Sequence, residues 1–182
     1  MTIQKIALMG QPVLRRAAQP VSSLENQELR RLIADMSDTM HDAPGVGLAA
    51  PQLFAGLRVI VFRVPAERDG DEGAFPETVL INPEVEPLDE RVSLGWEGCL
   101  SLPRLRGLVP RHKRIRYRGT RPDGTAVEDE ASGFLARVIQ HEVDHLDGIL
   151  YIDRMHDTRL LCFDSEAADF RYEDYRDSDD DA

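Results

Sequence analysis

The sequence predicts an α+β fold with antiparallel sheet. Three observations point there. The apolar runs "LRVIVFRV" (57–64) and "TVLIN" (78–82) have the β-branched composition of strands. "KRIRYRG" and "TAVEDEA" flank the turn sequence "TRPDG" and read as a hairpin. Two further stretches, one early and one late, repeat apolar residues at helical spacing.

In the early helix Ser22 and Glu25 make a capping box, and Leu29, Leu32, Ile33, Met36 and Met40 follow on one face. The helix is expected to end near "HDAPG" (41–45). The turn-rich loop "ERDGDEG" (67–73) separates the first two strands. The late helix runs from Ser132 to Asp147 and stops at Gly148, a C-terminal cap. Phe134, Leu135, Val138, Ile139, Val143 and Leu146 leave it little polar surface. It is therefore expected to be a central helix wrapped by sheet.

A chain of 182 residues is enough for one domain with a substantial core. No apolar run approaches the roughly 20 residues of a membrane span, and Ile6–Met9 is too short for the core of a signal peptide. Both features suggest a cytoplasmic protein. Two cysteines are too few for a disulfide framework, which leaves Cys99 and Cys162 as core residues, ligands or nucleophiles. The net charge of −11 is unevenly spread: residues 164–182 hold nine acidic and two basic side chains. The body is nearly balanced and offers no footprint for nucleic acid.

The chemistry concentrates in "HEVDH" (141–145). Residues i and i+4 of a helix stand one above the other, about 6 Å apart along the axis, so His141 and His145 can face one ion. Glu142, turned away by about 100°, belongs beside a water at that ion rather than on it. A catalytic metal centre normally takes three protein ligands. The long metzincin motif fails, because Tyr151 stands where its third histidine should be. His112 is flanked by the cations Arg111 and Lys113, and Cys162 in "LLCF" reads as core. Spacing leaves Cys99 and Glu166 open as the third ligand. Thiolate chemistry beside two imidazoles favours Cys99.

Three segments, "GVGLAAPQ" (45–52), "EGCLS" (97–101) and "QHEVDHLDG" (140–148), resemble in order the signature motifs of peptide deformylases. The resemblance runs from "MGQPVLRRAAQPV" (9–21) to about Asp153. It implies a catalytic domain over 1–163, followed by an acidic tail over 164–182. It also implies an activity: hydrolytic removal of the formyl group from N-formylmethionyl nascent chains, releasing formate. The implied fold has antiparallel sheets around a central helix carrying the two histidines. The implied cofactor is one divalent metal, Fe(II) in the cell, replaceable by zinc, nickel or cobalt. Its ligands would be Cys99, His141 and His145. Glu142 would act as general base and then acid on a metal-bound water. The side-chain amide of Gln52 and the backbone N–H of Leu100 would donate to the oxyanion.

By the same resemblance Val46, Gly47 and Gly98 meet the substrate main chain, with Phe134 also in the binding set. "GVGLAA" has the small side chains that strand-like pairing with a peptide requires. Glu97, also counted with the substrate-binding residues, would brace the cysteine loop together with Arg111. Arg106 would stand near the substrate's exit side. Arg137 departs from the apolar residue that some members carry in the methionine pocket; pointing inward, it would make that pocket shallower. Transient ribosome association is compatible with this reading, without direct nucleic-acid or membrane binding. The tail, net −7, is expected not to dock on ribosomal RNA. Phe163, Phe170, Tyr172 and Tyr175 are unusual for a disordered tail, so its first part is expected to pack on the body.

Overall fold

The computed structural model describes residues 2–43, 45–66 and 73–172. Among them are helices α1 (Gln27–Asp42) and α2 (Gly133–Leu146) and strands β1 (Gly47–Ala49), β2 (Val59–Val64), β3 (Phe75–Pro87), β4 (Val92–Cys99), β5 (Leu102–His112), β6 (Arg114–Thr120), β7 (Ala126–Ser132) and β8 (Leu161–Phe163). The strands form two sheets, ordered β1-β2-β3-β6-β7 and β4-β5-β8. Every pairing between named strands is antiparallel. The chain is α+β, as the pattern predicts. The loop "ERDGDEG" lies, but for Gly73, outside the described residues.

Strand β2 explains why its sequence is apolar throughout rather than alternating. Val59 and Val61 pack with Leu29, Met36 and Met40 of α1. Ile60 and Phe62 pack with Val138, Ile139 and Leu146 of α2. Successive side chains point to opposite faces of a sheet, and here each face is covered by a helix. On its other side α2 meets β5: Gln140 accepts from His112 N at 3.1 Å and donates to His112 O at 3.0 Å.

Helix α1 begins later than the Ser22–Glu25 capping box predicts. Asn26 is the cap, its side chain accepting from Glu28 N at 2.8 Å. The reason lies on β3. Asn82, at φ 52°, accepts from Val21 N at 2.8 Å and donates to Val21 O at 2.9 Å. The chain before Ser22 is thus tied to the sheet, and the helix starts only after leaving it. The end of α2 follows expectation. Gly148 takes φ +75°, where a side chain is disfavoured, and a Cβ there would lie 2.8 Å from the Arg15 carbonyl carbon. No helix among the described residues is long and apolar enough to cross a membrane.

Candidate metal centre and substrate cleft

Cys99 is the last residue of β4, where the register with β5 slips between Gly98 and Cys99. His141 and His145 stand one turn apart on α2, with ring centroids separated by 5.0 Å. The two elements bring Cys99 Sγ within 3.2 Å of His145 Nε2. One ligand atom from each of the three residues lies within 4.8 Å of the others, the only such group among the described residues. Burial alone would push the Cys99 thiol up, but the adjacent imidazoles outweigh it and hold the thiol well below its usual range. A thiolate and two imidazoles suit a borderline divalent ion. The residues fit a metal.

A buried ion network orients this group. Glu97 Oε2 lies 2.8 Å from His141 Nδ1, which leaves Nε2 available to an ion. The Glu97 carboxylate also accepts a fork from Arg111, at 2.9 and 3.0 Å, and a hydrogen bond from a second cation, Arg137, at 2.9 Å. Burial opposes the Glu97 charge, yet these partners hold its carboxyl well below the usual range. Arg111 continues to Asp144 on α2, and Asp144 accepts from Arg154 at 2.7 and 3.1 Å. Removing one partner from such a network leaves a buried charge uncompensated.

Gln52 is fixed by its oxygen. Ala49 N donates to Oε1 at 2.8 Å, so the amide nitrogen must face the other way. It donates to Ser101 Oγ at 3.2 Å and approaches Cys99 Sγ at 3.6 Å. Glu142 packs on the backbone of β1. A Cβ on Gly47 would fall 2.2 Å from Glu142 Oε1, so any side chain there would displace the carboxylate from this position. Among the described residues nothing donates to the buried Glu142 Oε2. Burial pushes this carboxyl up to about 7. A buried carboxyl with one idle oxygen is suited to taking up and releasing a proton near neutral pH.

These groups open on a cleft of about 750 Å³. Val46, Gly47 and Gln52 line it, as do Glu97, Gly98, Cys99 and Leu100. Phe134, Arg137, His141 and Glu142 come from α2, and Arg106 from β5. His145 completes the triad from behind, only 1% exposed. Arg137 does not extend its charge into the cleft. Its guanidinium donates to Glu97 and to the carbonyls of Val109 at 2.8 Å and Ser93 at 2.8 Å. The cleft is bordered by β1 and β4, each the outer strand of its sheet.

Sequence reasoning missed several neighbours. Asp144 lies inside "HEVDH", and an acid on an apolar helix face is a signal that a buried cation must answer it. Tyr151 stacks on His141 with centroids 6.1 Å apart, and Ser101 accepts from Gln52. Trp96 and Asp164 also line the cleft. No local pattern marks those four.

Comparison with known proteins agrees with this geometry. The family model described as polypeptide deformylase matches residues 3–160. Peptide deformylase 1 of Xanthomonas campestris is 50% identical over 163 residues, covering 89% of this chain and 95% of that relative. Peptide deformylase 1 of Bordetella pertussis is 52% identical over 156 residues, 85% and 89% of the two chains. A class I type b peptide deformylase from Acinetobacter baumannii, solved with Met-Ala-Ser bound, superposes with a TM-score of 0.79. It is 38% identical over 85% of this chain and 99% of its own. The chain therefore belongs to the polypeptide deformylase family, metal-dependent hydrolases that remove the N-formyl group from nascent peptides.

Proposed function

We propose that this chain deformylates N-formylmethionyl peptides with Cys99, His141 and His145 as metal ligands, Glu142 as proton carrier and α2 as the central helix bearing the metal-binding motif. The carrying observation is the convergence of a thiolate, two imidazoles and a buried carboxylate with one idle oxygen on a single cleft. Cys99, His141 and His145 would hold the ion, Fe(II) with zinc, nickel or cobalt as substitutes, and it would contribute Lewis acidity to the formyl carbonyl and to a water when bound. Glu142 accepts the proton of the attacking water and passes it to the departing amine. The Gln52 amide and the Leu100 N–H donate to the formyl oxygen as it becomes an oxyanion. Glu97 keeps His141 oriented through Nδ1.

The substrate backbone lies extended between the outer strands β1 and β4, meeting Val46, Gly47 and Gly98. Phe134 and the aliphatic stem of Arg137 take the methionine side chain, and Arg106 stands at the exit. The Acinetobacter relative with Met-Ala-Ser bound supports a peptide in the corresponding cleft. Residues 1–163 are the catalytic domain, with 164–182 as the acidic tail. A reaction on nascent chains places the enzyme in the cytoplasm, in transient contact with the ribosome. The tail's net −7 speaks against direct contact with RNA, and nothing in the reaction calls for a membrane.

Protein purified anaerobically with iron should release formate from a formyl-Met tripeptide and leave its internal bonds intact. Internal cleavage without formate would make it a different metal amidase. Gln52→Leu should lower kcat by about a hundred- to a thousandfold, the cost of one oxyanion donor. A loss confined to KM would remove Gln52 from that role.

A further inference from the structure

We propose that the first residues of the acidic C-terminal segment form part of the substrate cleft, and that Asp164, by occupying Arg106, sets how the cleft discriminates acidic from basic side chains downstream of the formyl-methionine. This rests on the deformylase reading and adds a specificity determinant beyond residues 3–160, the part that the family model matches.

The segment is placed by two anchors. Strand β8 adds to β5 with Leu105 opposite Phe163 and Arg106 opposite Cys162. The pairing continues one step further, Asp164 N donating to Arg104 O at 2.8 Å. Asp164 is therefore set by backbone hydrogen bonds beside the strand that carries Arg106. The Arg106 Nε donates to Asp164 Oδ1, and both side chains stay about half exposed, at 46% and 51%. Beyond it the chain turns, Glu166 N donating to Phe163 O at 2.9 Å and Asp169 N to Glu166 O at 3.1 Å. The turn delivers Phe170 edge-on to Trp96 of β4, with centroids 5.0 Å apart. Trp96, Arg106 and Asp164 all line the cleft. The segment thus joins the β4 and β5 walls, and the expectation that it packs on the body holds for Phe170. Tyr175 lies outside the described residues.

The consequence for a passing peptide is electrostatic. A free Arg106 would attract a carboxylate on the substrate and repel a lysine. Paired with Asp164, its field is largely cancelled, and the carboxylate's exposed side faces the same peptide. Arg104 lines the same wall, so the pair tunes the balance and does not decide it alone. Exposed ion pairs are weak and screened, so the effect belongs to substrate choice and not to the chemical step.

The test compares formyl-Met-Ala-Xaa-Ala and formyl-Met-Ala-Ala-Xaa, with Xaa either Glu or Lys, by formate release from the iron-loaded full chain. In Asp164→Asn the Glu-to-Lys ratio of kcat/KM should rise roughly three- to fivefold at one of the two positions. Truncation after Phe163 should shift it in the same direction. The Asp164→Asn increment should vanish in an Arg106→Gln background and shrink in high salt. An unchanged ratio with normal formate release overturns the proposal and leaves the deformylase reading intact. The same increment with and without Arg106 overturns the pairing. Absence of formate from every peptide defeats the underlying reading, and this proposal with it.

Discussion

Glu142→Ala is expected to retain its metal and lose nearly all turnover, a fall in kcat of about a hundred- to ten-thousandfold. Two features separate this carboxylate from a structural one. It is buried, and one of its oxygens has no donor among the described residues. Burying an unsatisfied polar group costs stability, so removing it should leave the thermal midpoint unchanged or raise it. A residue retained for packing would behave in the opposite way. Gly47 supports the same conclusion, since β1 gives up a side chain at the place where the carboxylate sits. Metal content, unfolding and kinetics measured on one sample decide the matter. Substantial residual activity would end the general-base role, and loss of metal would make Glu142 a ligand.

What the sequence revealed of the fold depended on whether the cause was local. β2, the β6–β7 hairpin and the Gly148 stop were legible because β-branched composition, turn chemistry and a positive φ act within a few residues. The β4–β5 hairpin was not, although it carries Cys99 and Glu97. Its strands hold Gly95 and Gly107 where a strand former would be expected. The structure gives the reason. A Cβ on Gly95 would meet the Arg137 guanidinium at 2.7 Å, and one on Gly107 would meet Met155 Sδ at 2.6 Å. Distant side chains impose those glycines. β1, three residues long, is too short to show any period.

The site divides along the same line. "HEVDH" announces itself because helical spacing is a local property. The partners of Glu97 do not: Arg111, Arg137 and His141 stand 14, 40 and 44 residues away along the chain. Arg137 shows the limit most clearly. From sequence it could be placed on the methionine-pocket side of α2. That its guanidinium turns to Glu97 and three backbone carbonyls depends on where β4 and β5 lie.

Cys99→Ser is expected to abolish tight metal binding and with it the activity. The effect should exceed the roughly 10- to 100-fold that loss of an outer partner of a metal ligand costs. The substitution is nearly isosteric, so the β4–β5 turn should survive it. What changes is the donor. The imidazoles of His145 and His141 favour a thiolate at Cys99 over the thiol, whereas a serine hydroxyl stays protonated and is the harder, weaker ligand. Cys162 provides the internal control. It sits on β8, and burial together with Asp164 pushes its thiol up, so it stays protonated and a poor ligand. Cobalt-substituted protein should show a thiolate-to-metal charge-transfer band at one metal per chain. Cys99→Ser should remove that band and Cys162→Ser should leave it in place. If only Cys162→Ser removes it, the sulfur ligand has been misassigned, and the 3.2 Å approach of Cys99 to His145 is a packing contact.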